Sequence, residues 1–93
     1  MNQMFYDIAK KYAAEHNCDI VEPCTERNGY MYFHLDYTGR ARYTGHPHII
    51  KISPTGKVHR VLDFDEIYWA FKYALQQRSN RETAVKFGML DQK

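Results

Sequence analysis

The run Tyr30-Met31-Tyr32-Phe33-His34-Leu35-Asp36-Tyr37 constrains this chain more than any other segment. In an extended strand Met31, Phe33, Leu35 and Tyr37 fall on one face, and Tyr30, Tyr32, His34 and Asp36 on the other. The first set is the better core. A strand needs neighbours, and His48-Ile49-Ile50-Lys51-Ile52 and Lys57 to Leu62 supply two. They are joined by Ser53-Pro54-Thr55-Gly56, a tight turn with proline preset for its second position. Thr38-Gly39 and Thr44-Gly45 bracket Arg40-Ala41-Arg42-Tyr43, which predicts a loop or a distorted hairpin tip. These pieces make a three-stranded antiparallel meander.

Helices flank it. From Asn2 to His16, Phe5, Ile8, Ala9, Tyr12 and Ala13 recur at spacings of three and four, with Lys10, Lys11 and Glu15 on the wet side. Asn17 tolerates the left-handed conformation that closes a helix. Asp19 to Glu22, before Pro23, predicts a short strand or extended connector, and Thr25 to Gly29 a turn. Asp63 is the expected cap of the last main helix, with Glu66 bonding back to it and Leu62 stapled to Ile67. Along that helix Phe64, Ile67, Tyr68, Phe71, Ala74 and Leu75 form the expected apolar stripe, with Trp69 and Tyr73 off its centre. Ser79-Asn80 is expected to interrupt it before a short terminal helix over Arg81 to Phe87.

The reading is a single compact α+β domain over residues 1–93: a two-layer sandwich with an N-terminal helix, a three- to four-stranded antiparallel sheet and a C-terminal helix, in α-β-β-β-β-α order. Its helices are expected on one face of the sheet. The other face, carrying Tyr30, Tyr32 and His34, would then meet water.

At 93 residues the chain is one small domain that buries roughly 60 to 65% of the surface of its unfolded form. It has little room for a deep pocket beside the core. No apolar run approaches the roughly 20 residues of a membrane span, and the N-terminus lacks a secretory pattern. A soluble, cytoplasmic protein is expected, with Cys18 and Cys24 reduced.

Charge points to a working face. Residues 27–60 hold six Lys/Arg and one acid, and four of the five histidines lie in the same region. A cationic sheet displaying tyrosines has the ingredients for phosphate attraction and base stacking. Gly29-Tyr30-Met31-Tyr32-Phe33 resembles the aromatic alternation of the RNA-recognition motif, but the order of elements differs. Gly45-His46-Pro47-His48 resembles, in permuted form, a loop of the double-stranded-RNA-binding domain. That family sets lysines at the start of its final helix, where this chain has Asp63, Asp65 and Glu66, which repel phosphate. Asn80 to Met89 resembles the first helix and turn of a helix-turn-helix unit, yet no recognition helix follows within the chain.

Chemistry is harder to place. His46 and His48 stand two apart, with Pro47 between them and no Cys or carboxylate in step, so no metal site is expected. No Gly-x-Ser-x-Gly, phosphate loop, paired-carboxylate or Cys/His signature is present, and neither an enzyme nor a cofactor is expected. What remains is recognition. The expectation is a protein-binding module, an adaptor or inhibitor that docks on a larger protein or nucleoprotein partner. Its size and layout are those of small phage or mobile-element inhibitors of the anti-CRISPR-like kind, an analogy of scale rather than motif. The expected partner-binding residues are Tyr30, Tyr32, His34, Arg40, Arg42, Tyr43, Lys57 and Arg60. The alternative is direct RNA or DNA binding by the same face, and the pattern is also compatible with a homodimer through a sheet edge.

Overall fold

The structure, a computed structural model, describes residues 3–37 and 47–86, with side chains described through residue 77. The expected α+β class and α-β-β-β-β-α order are found. Helix α1 spans Gln3–Glu15, strands β1 to β4 span Ile20–Arg27, Tyr30–Asp36, His48–Ile52 and Val58–Arg60, and helix α2 spans Phe64–Lys86. The strands form one antiparallel sheet in the order β1-β2-β3-β4.

Turn chemistry sets the register. Asn28 and Gly29 have φ of 55° and 82°, the left-handed pair of a two-residue hairpin, and they place Arg27 opposite Tyr30. The turn expected over Thr25 to Gly29 is thus confined to two residues, and β1 runs on through Pro23. Proline is tolerated there because β1 is an edge strand, and the register shift between Pro23 and Glu26 marks a bulge. Pro54 takes its expected place in the β3-β4 turn, where Gly56 N donates to Ser53 O and Lys57 N to Ser53 Oγ.

Helix α1 ends as its sequence predicts. Asn17 has φ 61°, Cys18 N donates to Ala13 O and Asn17 N to Ala14 O, the paired bonds of a Schellman closure. Phe5, Ala9 and Ala13 line its buried stripe, and the two alanines let it approach Phe33, Leu35, Ile50 and Ile52 closely. This is the face expected to be core. Tyr37, assigned to the same set, is exposed at its end.

One feature differs from expectation. Helix α2 packs on the opposite face of the sheet, where Ile67, Ala70 and Ala74 join Cys24, Tyr32, Ile49 and Val61 in a second core. The sheet is therefore a septum between two helices, and the arrangement has three layers instead of two. The physical reason lies in β2 and β3, where apolar residues occupy both parities. Tyr32 and Ile49 are as fully buried as Phe33 and Ile50, and strands of that kind need cover on both sides.

Helix α2 departs from its expected detail as well. Its buried centre is Ile67, Ala70 and Ala74, while Phe64, Tyr68 and Leu75 are exposed and Trp69, Phe71 and Tyr73 are half-buried. Leu62 is 75% exposed, so the staple to Ile67 does not form. The helix runs unbroken to Lys86, because Ser79 and Asn80 are weak helix formers rather than breakers.

Candidate functional site

Helix α2 crosses the sheet from the β4 side, where it begins, to β1, where Gln77 Nε2 donates to the carbonyl of Cys24 at the bulge. Tyr30, Lys51 and His59 lie near the hairpin end of that face, and Arg27 reaches over Trp69 beside them. All except the exposed Arg27 are half-buried. This corner brings together aromatic and cationic side chains from all four strands and α2.

Its centre is Trp69. The Arg27 guanidinium lies 3.9 Å from the centre of the indole ring, a close cation–π distance. Tyr32 and Tyr73 meet the same indole edge-on, with ring centres at 5.2 Å and 5.5 Å. Lys51 Nζ lies 5.3 Å from the Tyr30 ring centre, and His59 packs against Tyr30 from β4.

Glu66 ties this corner to the sheet. Asp63 caps α2 as expected, accepting the Glu66 N–H at 2.9 Å. The Glu66 carboxylate does not return the bond to the cap. It accepts instead from Tyr32 Oη and, at 2.9 Å, from Lys51 Nζ, with Arg27 at 3.8 Å. Burial alone would raise the Glu66 pKa, but bonds from Tyr32 and Lys51 and the charges of Lys51 and Arg27 hold it below its ordinary value. The bond to Glu66 raises Lys51. Burial, then the bond to Glu66, raises the Tyr32 phenol.

The residues expected to bind a partner are dispersed by the fold. Tyr30 is half-buried at the corner, and Lys57 and Arg60 are exposed near β4. Tyr32 and His34, expected on a wet face, are each only 2% exposed because α2 covers them. His34 Nδ1 pairs with Glu22 Oε1 at 2.9 Å, and its ring meets Phe71 edge-on. Arg40, Arg42 and Tyr43 lie outside the described residues. Sequence reasoning did not select Arg27 or Lys51, and it counted Trp69 among the aromatic anchors without placing it in the expected partner-binding set. A signal for Arg27 was present: Asn-Gly sets the residue before it opposite Tyr30, two residues from Tyr32 on the same face.

At the other end of the sheet, His16, Cys18, Leu35, Asp36 and His48 help line an open groove of about 350 Å³. Burial, then the nearby charges of Arg60, His16 and His34, lowers the His48 pKa. Among the described residues, no three His, Cys, Asp or Glu side chains converge to hold a metal ion. Cys18 packs with the α1 core and Cys24 with the α2 core, so the sheet separates the two thiols. Among the described residues no helix is long and apolar enough to cross a membrane. No protein-family model, curated protein or solved structure matches the chain.

Proposed function

We propose that the chain is a small non-catalytic protein-binding module that docks on a larger partner through the corner built from Trp69, Arg27, Tyr30 and Lys51. The observation that carries this reading is the half-buried Trp69 with Arg27 lying over its ring. Trp and Tyr are among the side chains that dominate interface energies, and they do so where rigid packing has already removed their freedom. Trp69 is wedged by Tyr32 and Tyr73, and Tyr32 is anchored by Glu66, so the anchors are held before a partner arrives. Asp63, Asp65 and Glu66 border the corner, which favours a protein over a phosphate backbone.

The test is capture from lysate before and after nuclease, with Tyr30→Ala and Trp69→Leu beside the wild type. The expected result is a stoichiometric complex that survives nuclease and is weakened about tenfold or more by either substitution. Thermal melts of both variants check that the domain is intact. A complex that disappears with nuclease would point to nucleic acid, and full capture by both variants would overturn the assignment of the face.

A further inference from the structure

Arg27 itself indicates what the partner presents. It ends β1 beside the Asn28-Gly29 turn, its side chain is 44% exposed, and its nearest Glu66 oxygen is 3.8 Å away, beyond hydrogen-bond range. Lys51 already takes that oxygen at 2.9 Å. Arg27 therefore lies over Trp69 through a cation–π contact, with the Tyr32 ring centre at 5.8 Å, an interaction with the Tyr32 hydroxyl and a long ion pair to Glu66 as its other ties. Its surroundings are suited to positive charge. An open concavity of about 390 Å³ is lined by Arg27, Trp69, Asp63, Asp65 and Glu66. Lys51 binds Glu66 from the sheet side and Asp63 is engaged as the helix cap, which leaves Asp65 as the carboxylate of the concavity with neither tie.

We propose that Trp69 and the carboxylates of Asp63, Asp65 and Glu66 form a receptor for a guanidinium or ammonium group of the partner, and that Arg27 is its resident, displaceable occupant. The inference rests on the protein-docking reading and specifies its chemistry: the partner segment is basic, and an arginine or lysine from it replaces Arg27 on the indole. The Arg27 guanidinium shows the pose that such a group would take. Displacement leaves the fold intact, because Glu66 keeps Tyr32 and Lys51 when Arg27 swings out. It also frees Arg27 to pair with a carboxylate on the incoming chain.

Trp69 is the chain's single tryptophan, so its fluorescence reports this site directly. The experiment titrates the full chain with tetra-arginine, tetra-citrulline and tetra-glutamate peptides at low salt. The expected result is a saturable change with tetra-arginine and none with the two others. Arg27→Ala, which removes the competing occupant, should tighten tetra-arginine about threefold, the worth of an exposed cation–π contact. Arg27→Gln serves if the alanine variant melts early. Asp65→Asn should weaken binding about twofold, as expected for one exposed charge.

Equal binding of tetra-citrulline would show stacking without charge selection, and preference for tetra-glutamate would make Arg27 the recognising group. Either result overturns the proposal, as does unchanged or weaker binding by both Arg27 variants. The docking reading is judged separately by capture: a complex sensitive to Tyr30→Ala in a chain that ignores tetra-arginine retains the docking face and removes the cation receptor. Tetra-arginine binding with no complex does the reverse.

Discussion

Glu66→Gln removes a charge from the centre of the α2 attachment while keeping the shape of the side chain. Tyr32 Oη and Lys51 Nζ both donate to the same carboxylate oxygen, Oε2. A glutamine can place its carbonyl oxygen there and turn its amide to the other side, so both bonds survive in neutral form. The cost is then the difference between charged and neutral hydrogen bonds, about 1 kcal/mol for each. Glu66 is 19% exposed and Lys51 29%, so water screens part of the Lys51 contribution, and about 1–2 kcal/mol remains. For a domain of this length that is a fall in Tm of roughly 4–16 °C.

The pH dependence separates charge from shape. Unfolded Glu66 takes up its proton near pH 4.3, roughly the unperturbed value, whereas the folded carboxyl is held lower. Between those two values the unfolded chain binds more protons, so the wild type loses stability as pH falls, and Glu66→Gln loses none from this source. Melts followed by circular dichroism should show a constant gap between the two proteins from pH 8 to about pH 5. The gap should shrink as the acid end is approached. Coincident melts at pH 7, or a gap undiminished at pH 3, would refute the claim that charge on Glu66 secures the helix.

Other perturbations test other parts of the fold. Gly29→Ala should cost about 1–3 kcal/mol in urea titrations, since the residue has φ 82° and a Cβ there would meet Pro54 Cγ at 3.0 Å. His48 has its pKa lowered by burial, so its neutral form favours folding and stability should fall as pH drops below about 6.5. His48→Gln should flatten the Tm profile across that window. Burial, with Glu22 adding, pushes the Cys24 thiol up to about 12, so thiol titration of the native chain should label Cys18 first and Cys24 only after denaturation. Simultaneous labelling would show that α2 opens readily.

The strands and turns are legible because they follow local chemistry: period-two alternation from Tyr30, the Pro54 turn, Asn17 closing α1 and Asp63 opening α2. The layer count is less legible. Tyr32 and His34 resemble surface residues by type, and only the uninterrupted apolar and aromatic run through β2, with paired isoleucines in β3, signals a sheet covered on both sides. Glu66 has the spacing of a capping partner, but its carboxylate is drawn away by Tyr32 and Lys51, which are remote in sequence. The stack of Arg27 on Trp69 is likewise a product of tertiary structure: β1 and α2 each place one member.

The septum between the two cores also divides what selection can act upon. Side chains on the α1 side contribute to stability at a distance from Trp69, and substitutions on opposite faces that share no partner combine nearly additively. The side chains around Trp69 can therefore change while Phe5, Ala9, Phe33 and Ile50 hold the domain together. Substitution can revise one side of the sheet and leave the other untouched.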